Sequence, residues 1–449
     1  METIKPIVGV LAVGRNTFDV PYAEQVLSEA WQALQNLDIE IIGEKRLLFD
    51  TDEARKSLSA LKDQSFDILL LLQVTFTDAS MTLEIAQEIS HPLVMWSFPE
   101  PRTGGRLRLN SFCGINLAAH ALSRNGLAYH YIHGSPDNEK TLDRLTAIAR
   151  ASAVKQSLNQ VKIGVIGNHP DGFDACIFSH EELHHLFGIR VEEHDLIAFL
   201  DKTKRLDDSV ALPHYRERKE ILVNIEEMDK EVTLKTLKAY EAMRQLIDAN
   251  TYSGLAVRCW PEFFTHYGAA ACGAVAILNE KHIPGGCEAD VHGVVTSLIL
   301  QRISSEPAFN TDLVDIDPQT DTSVFWHCGQ APVQMADPDT DIRATIHSNR
   351  KLPLLNEFPL KPGRFTMARL SKGHGKTRLV IGGGEMQQAP LAFSGTAGVA
   401  RLDSPVTEVL DNLMQAGLEH HTSIVYGEHR PVLRIFAGLA DIEVVELTQ

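Results

Sequence analysis

Two strand-like segments of this sequence are apolar on both faces, which limits the folds that the chain can adopt. Residues 66–74 are FDILLLLQV and residues 6–14 are PIVGVLAVG. A strand without polar alternation must be covered on both sides, as in a parallel sheet flanked by helices. A helix-like pattern over 22–35 and a second strand-like run over 38–43 complete a β-α-β order. The N-terminal region is therefore predicted to be an α/β fold.

The same patterning divides the chain into three regions, in agreement with the roughly three domains that its length suggests. Residues 1–158 are predicted to form a doubly wound, Rossmann-like α/β domain. The pattern restarts at VKIGVIGNHPDGF, so residues 159–304 are predicted to form a second domain of this class. Beyond them, short strands replace the helical periodicity. Residues 305–449 are therefore predicted to form a β-rich domain with one helix near 406–416.

Composition excludes several classes of protein. A hydrophobic content of 44% and a charged content of 22% are those of an ordinary globular chain. The formal charge of −17 argues against a nucleic-acid or anionic membrane surface and favours small ligands. No stretch is long and apolar enough for a membrane span, and no export signal is evident. The six cysteines lack paired spacing and are expected to be free thiols in the cytoplasm.

Two carboxylates follow predicted strands of the second domain. Glu262 and Asp290 are 28 residues apart, the length of one strand-helix-strand crossover. Ligands of parallel sheets gather at the carboxyl ends of the strands, so the two acids are expected to lie side by side. The alternative is that each acid caps the helix that follows it, near Thr265 and near Gly293.

The segment CEADVHG also offers Glu288 and His292. Strand alternation would place Glu288 and Asp290 on one face, so the two compete for the same role. Of the two, Asp290 is favoured.

Histidines in the third region supply imidazoles. His327 ends the apolar run TSVFW, where a lone histidine is usually a hydrogen-bonded core residue. His420 and His421 precede the strand-like TSIVYG, and neighbours in a strand point to opposite faces, so at most one can ligate. An inert surface pair is the alternative. Two carboxylates with one or two imidazoles form a ligand set for a divalent ion that holds sugar oxygens.

At these residues the chain resembles the L-fucose isomerase and L-arabinose isomerase superfamily, particularly its L-fucose isomerase-like branch. The resemblance spans most of the chain, and its blocks occur in family order. The matching blocks are VKIGVIGNHPDGF (161–173), RCWPEF (258–263), CEADVHG (287–293), WHCG (326–329), GEM (384–386) and GLEHHTSIVYG (417–427).

The resemblance implies two α/β domains followed by a β-barrel-like C-terminal domain. It also implies an aldose–ketose isomerase that uses a divalent ion, usually manganese. Glu262 and Asp290 would be the two ligating acids and would share the acid and base roles of enediol proton transfer. His421 would be the ligand from the third domain. His327 matches a further ligand of the arabinose isomerases that the fucose isomerases lack.

The resemblance further implies a homo-oligomer, a trimer or hexamer, in which one subunit helps to close the site of its neighbour. Two rival functions remain. A metal-dependent sugar aldolase or epimerase would use much the same ligands. A non-catalytic sugar-binding protein would need no metal.

The substrate is expected to be a sugar, either a neutral pentose or deoxyhexose or an anionic sugar such as sulfoquinovose. Arg102, Arg106 and Arg108 follow a predicted strand, where guanidiniums could fork onto an anion. The alternative is a solvated loop with surface ion pairs. His169 and Asp171, in GNHPDGF, belong either to a sugar-contacting loop or to a strand-ending turn. The GGG at 382–384 lacks the spacing of a dinucleotide site.

Overall fold

The computed structural model describes residues 4–449, which divide into two compact units, Ile4–Gln156 and Ser157–Gln449. Within that range, none of the helices combines the length and apolarity needed to cross a membrane.

The first unit contains a parallel sheet of five strands in the order β2-β1-β3-β4-β5. Its strands are β1 (Ile7–Val13), β2 (Glu40–Leu48), β3 (Ile68–Gln73), β4 (Leu93–Ser97) and β5 (His130–His133). Its helices are α1 (Val20–Gln35), α2 (Thr51–Lys62), α3 (Ser80–Glu88), α4 (Ser111–Arg124) and α5 (Glu139–Leu158), within which the unit ends. Every residue of β3 is buried, as its continuous apolar sequence predicts. The predicted parallel α/β fold is confirmed here.

The second unit begins with a parallel sheet of four strands in the order β7-β6-β8-β9. Its strands are β6 (Lys162–Ile166), β7 (Arg190–His194), β8 (Gly254–Val257) and β9 (Gly285–Gly286). Its helices are α6 (His180–Phe187), α7 (Leu196–Lys204), α8 (Leu212–Ile221), α9 (Lys230–Asn250), α10 (Cys272–Glu280) and α11 (Val291–Ser304). All nine residues of α10 are buried, so this helix lies in the core of the unit.

The Ala-rich segment after β8 does not form the one continuous helix, starting near Thr265, that the sequence predicts. The structure has one wide helical turn, Phe263–Tyr267, and then α10. Gly268 ends the turn with φ at 82°, a left-handed backbone that glycine adopts without steric cost. The Ala-rich pattern could not reveal this break.

A nine-stranded sheet follows, in the order β12-β13-β16-β11-β10-β17-β14-β15-β18. Its strands are β10 (Phe309–Asp317), β11 (Thr322–His327), β12 (Arg343–Thr345), β13 (Leu355–Pro359), β14 (Gly363–Ser371), β15 (Arg378–Met386), β16 (Thr396–Leu402), β17 (His421–Tyr426) and β18 (Glu443–Glu446). Strand β15 also pairs with β16, so six strands form a closed circuit of hydrogen-bonded neighbours.

Two helices accompany this sheet. Helix α12 (Val406–Ala416) lies where the periodicity predicts it, whereas α13 (Arg430–Leu439) was not predicted. A proline near the start of α13 is compatible with a first helical turn, because the amide it lacks would have no intrahelical partner.

Helix α11 joins the parallel sheet to the nine-stranded sheet. The backbone amide of Leu370 in β14 donates to Thr296 Oγ1 at 3.0 Å, and the hydroxyls of Ser297 and Ser423 lie 3.0 Å apart. The two regions therefore share one unit, and α11 brings the end of β9 close to the start of β17.

Candidate active site

The carboxyl ends of β8 and β9 supply the first groups of the site. The two strands are parallel neighbours, with Leu255 opposite Gly285 and Ala256 opposite Gly286. Glu262 follows β8 and Asp290 follows β9, so both segments leave the sheet at the same edge.

His421 is the centre of a cluster of acids. It begins β17 and lies directly opposite Asp312 of β10. Its Nε2 atom is 3.1 Å from Glu288 Oε2 and 3.4 Å from Asp312 Oδ1. The side chain of His421 is only 1% exposed, whereas that of His420 is 45% exposed. The two histidines therefore face opposite ways, as strand alternation predicts.

Asp290 both caps a helix and holds this histidine. Its Oδ1 accepts a hydrogen bond of 2.9 Å from the amide of Gly293 in the first turn of α11. One oxygen of Asp290 therefore caps this helix. Its Oδ2 lies 2.8 Å from His421 Nδ1 and is paired with the Arg369 guanidinium. A proton on Nδ1 of His421, donated to Asp290, leaves the lone pair of Nε2 free to bind a cation.

Glu288 is held in a strained backbone conformation. Its φ is 59° and that of Ala289 is 56°, in the left-handed region that non-glycine residues rarely occupy. Such a conformation costs about 1–3 kcal/mol and concentrates at functional sites. Trp260 Nε1 donates to Glu288 Oε1 at 3.1 Å, which leaves Oε2 directed at His421.

Three buried atoms of this cluster lack a hydrogen-bond partner anywhere in residues 4–449. They are Glu288 Oε2, Asp312 Oδ1 and His421 Nε2. Leaving buried polar atoms unpaired is costly. Both carboxylate oxygens lie within 3.4 Å of His421 Nε2, so their convergence requires an explanation. A cation bound by all three would satisfy them.

The charges of the cluster agree with that explanation. If a cation replaced the proton on Nε2, His421 would be neutral, and the carboxylates of Glu288, Asp290 and Asp312 would outnumber the one guanidinium, that of Arg369, by two negative charges. A divalent cation would balance this excess, and its ligands would be oxygen and imidazole nitrogen. The residues present therefore fit a divalent metal.

Among residues 4–449, two groups of side chains place ligand atoms within 4.8 Å of one another, and His421 belongs to both. Asp312, His327 and His421 form one group, and Cys176, Glu288 and His421 form the other. Burial raises the pKa of the Cys176 thiol to about 11, so this sulfur stays protonated and is a poor ligand. The oxygen and imidazole donors are the better set.

The pKa shifts reflect the same concentration of negative charge. Burial alone would lower the pKa of His421, but the hydrogen bond with Asp290 and the nearby acids raise this pKa well above its usual value. Burial alone would raise the pKa of Asp290, but Arg369 and His421 hold this pKa well below its usual value. The cluster thus attracts positive charge.

Glu262 lies outside both groups. Its oxygens accept hydrogen bonds of 2.9 and 3.0 Å from Arg258, and its side chain makes no bond to the helical turn that follows, unlike a cap. Burial would raise the pKa of Glu262, but Arg258 lowers it overall. With Arg258, Asn168 and His194, Glu262 lines a cavity of about 390 Å³. The structure thus gathers Asp290, His421 and His327, and Glu262 lines a cavity that none of these three residues lines.

The arginines predicted to bind an anion lie in the first unit. Arg108 Nε donates to Asp19 at 2.8 Å, and its guanidinium lies 3.7 Å from the centre of the Tyr22 ring. Arg102 and Arg106 are exposed in the loop before α4. Arg108 therefore forms an ion pair with Asp19, as in the alternative to an anion site.

His169 and Asp171 follow β6 in the second unit. The backbone carbonyl of His169 accepts a hydrogen bond of 3.1 Å from Arg258 Nη1, and Asp171 is exposed. This turn therefore supports the arginine that holds Glu262.

Asp312 and Arg369 were missed by the sequence analysis. Asp312 occurs in FNTDLVDID, where polar and apolar residues alternate as in any half-exposed strand. Arg369 occurs in RFTMARLS, and its burial against Asp290 depends on packing between β14 and α11. Neither segment carries a local signal of the role.

Comparison with known proteins identifies the family. Residues 9–159 match the fucose/sulfoquinovose isomerase N-terminal domain, and residues 325–448 match the L-fucose isomerase C-terminal domain. A sulfoquinovose isomerase of Alkalicoccus urumqiensis is 32% identical over 97% of this chain and 98% of its own length. The chain belongs to the fucose/sulfoquinovose isomerase family. As a member, it is a sugar isomerase of the aldose–ketose type.

Other members of this family match over a similar extent. The sulfoquinovose isomerase of Priestia aryabhattai is 30% identical over 93% of both chains.

A solved solute-binding protein of Agrobacterium vitis, bound to alpha-D-tagatopyranose, aligns with 68% of this chain and 90% of its own at 14% identity. Its TM-score of 0.17 is too low to bear on the fold.

Proposed function

We propose that this protein converts sulfoquinovose to the corresponding ketose with the help of a divalent metal ion. The observation that carries the metal-dependent mechanism is the convergence of three buried, unpaired donor atoms, Glu288 Oε2, Asp312 Oδ1 and His421 Nε2. The substrate is proposed from the names of relatives that align over nearly the whole chain.

Glu288, Asp312 and His421 would hold the ion. His327, whose ligand atom lies within 4.8 Å of those of Asp312 and His421, would be a fourth donor. Oxygen and imidazole ligands suit Mn²⁺, which is the metal we propose. When bound, the ion would supply Lewis-acid stabilisation of negative charge on two neighbouring sugar oxygens.

Asp290 would orient His421. Its oxygens are already used by Gly293, His421 and Arg369, and the residue is fully buried. This arrangement favours an orienting role for the Asp290 carboxylate over the metal-ligand and acid–base roles predicted from sequence. A carboxylate that fixes the tautomer of a metal-binding histidine typically improves metal affinity by about 10–100-fold.

Glu262 would move the proton between C2 and C1 of the sugar. It is a partly exposed carboxylate at an open cavity, two residues beyond the Trp260 that contacts Glu288. The Arg258 guanidinium favours its ionised form, which is the form that a base needs. An ionised carboxylate can accept the C2 proton and return it to C1.

Aromatic rings beside Glu288 would hold the apolar face of the sugar. The ring of Phe173 lies 5.4 Å from that of Trp260 and 6.0 Å from that of His420, in edge-to-face geometry. Apolar contact of this kind orients a polyol without competing for its hydroxyls.

The proposal extends to the architecture and setting of the protein. The closed circuit of six strands supports a barrel-like C-terminal domain, and residues 1–158, 159–304 and 305–449 would be three domains. We also propose a cytoplasmic homo-oligomer, a trimer or hexamer.

The direct test is to incubate the protein with Mn²⁺ and sulfoquinovose in D₂O and to follow the sugar by NMR. The expected result is a ketose that carries solvent-derived deuterium on C1, because the proton held by Glu262 exchanges with D₂O before it is returned to the sugar. Inversion at C2 without ketose would indicate an epimerase, and carbon–carbon cleavage would indicate an aldolase. Either result would overturn the proposal, as would turnover of neutral aldoses alone.

A further inference from the structure

Arg350 stands apart from the charged residues around the site because its guanidinium has no acidic partner. Within the described chain, residues 4–449, no carboxylate oxygen lies within 4.0 Å of its side-chain nitrogens. By contrast, Arg258 is paired with Glu262, and Arg369 is paired with Asp290. Arg350 is thus a half-buried arginine beside the acid cluster whose charge no carboxylate balances.

Aromatic rings hold this guanidinium in place. Its central carbon lies 5.0 Å from the ring centre of Trp260 and 5.1 Å from that of Phe264. The turn that carries Arg350 is itself fixed, because His347 packs edge-to-face on Phe264 at 5.1 Å. Stacking on rings positions a guanidinium and leaves its N–H donors free at the edge.

Trp260 connects Arg350 to the acid cluster. The same indole that lies under the guanidinium donates from Nε1 to Glu288 Oε1 at 3.1 Å. The two groups thus contact one ring, so a single small molecule could reach both. One end of such a molecule would meet the carboxylate and imidazole groups of the acid cluster. The other end would meet the positive charge of Arg350.

We propose that Arg350 binds the anionic group at the far end of the sugar and determines selectivity for an anionic aldose over a neutral one. This inference rests on the proposed function, since it concerns the same site. A planar guanidinium forks onto sulfonate oxygens by two parallel hydrogen bonds. The sulfonate would replace the carboxylate partner that Arg350 lacks.

The test compares two substrates and three variants of the full-length, Mn²⁺-loaded protein. The substrates are sulfoquinovose and 6-deoxyglucose, which has the same ring without the sulfonate. Arg350→Gln is expected to raise KM for sulfoquinovose by about 10- to 100-fold with little change in kcat, the effect of losing a charge-assisted hydrogen bond. Its kcat/KM for 6-deoxyglucose should change by less than about 3-fold. Arg350→Lys should recover part of the affinity.

Arg216→Gln is the matched control, because Arg216 is an exposed arginine of α8 outside the site. It should leave both substrates unaffected. Equal losses on both sugars in Arg350→Gln, or no loss on sulfoquinovose, would overturn the inference.

Inhibition by methanesulfonate separates this inference from the proposed function. If the wild type isomerises only neutral aldoses, the proposed function fails. Inhibition by methanesulfonate that disappears in Arg350→Gln would still support an anion site, whereas inhibition that persists in that variant would overturn it.

Discussion

His421 Nδ1 lies 2.8 Å from Asp290 Oδ2, and both side chains are almost completely buried. Asp290 is in turn paired with Arg369, so a chain of contacts fixes the imidazole from behind. The opposite nitrogen of His421 then faces Glu288 and Asp312. Asp290 therefore contacts one nitrogen of the imidazole, and Glu288 and Asp312 face the other. The first two predictions depend on this difference.

Replacing His421 with alanine should remove the metal from the protein. The imidazole is common to both groups of ligand atoms, so its loss should lower the Mn²⁺ content of purified protein to background. Elemental analysis measures this directly. His420→Ala is the neighbouring control, since His420 is half exposed and should retain the metal. Equal metal content in both variants would contradict the assignment.

Neutralising a proposed ligand should weaken metal binding more than neutralising the orienting acid. Glu288→Gln and Asp312→Asn each remove an atom that faces His421 Nε2. We expect their Mn²⁺ affinities to fall by more than about 100-fold, and that of Asp290→Asn by about 10- to 100-fold. Competition with a chelator of known affinity would measure the constants. The reverse order would make Asp290 the direct ligand.

Glu262→Gln should separate proton transfer from metal binding. Loss of a general base typically costs about 10²- to 10⁴-fold in rate, so kcat should fall by that range while Mn²⁺ content is retained. Glu193→Gln provides the comparison, because Glu193 lines the same cavity and should keep kcat within about 2-fold. Full activity in Glu262→Gln would refute its role.

Removing the metal should abolish isomerisation and lower thermal stability. Activity is expected to disappear after dialysis against EDTA and to return with Mn²⁺. At an ion concentration of about 100 times Kd, binding should stabilise the fold by about 2.7 kcal/mol. Differential scanning fluorimetry would record a higher Tm with Mn²⁺ in the wild type and no shift in His421→Ala. A shift of equal size in both would place the ion elsewhere.

Glu241 should contribute stability that depends on pH. Hydrogen bonds from Arg244, with help from Gln245 and His214, lower the pKa of Glu241 to about 2. A depressed carboxyl pKa stabilises the folded state above the unfolded pKa, near 4.5, and this contribution is lost as the pH falls towards 2.

Glu241→Gln should therefore lower the free energy of unfolding by about 1.5–3 kcal/mol at pH 7 and by less at pH 3. Urea denaturation at the two pH values measures the difference. Glu231→Gln, an exposed position on the same helix, should show no such dependence on pH. A loss in Glu241→Gln that is the same at both values would contradict the prediction.

Local structure, and the strand ends where acids and histidines lie, could be predicted from short stretches of the chain. The doubly apolar runs at β1 and β3 required a parallel sheet, and the strand-to-helix transition at Asp290 predicted both the helix cap and the acid at the strand end. The adjacent histidines at the start of β17 predicted that only one could face inwards. These features depend on residues close together in the chain, so their periodicity is visible in the sequence.

Which groups meet depends on contacts between distant parts of the chain. Asp312 lies opposite His421 because of the register between β10 and β17, strands more than one hundred residues apart. Glu288 turns towards that histidine through a left-handed backbone that its side chain does not favour. Arg258, the residue that follows β8, donates two hydrogen bonds to the Glu262 carboxylate. Strand register, backbone strain and burial of charge are set by packing across the whole unit, and no local pattern encodes them.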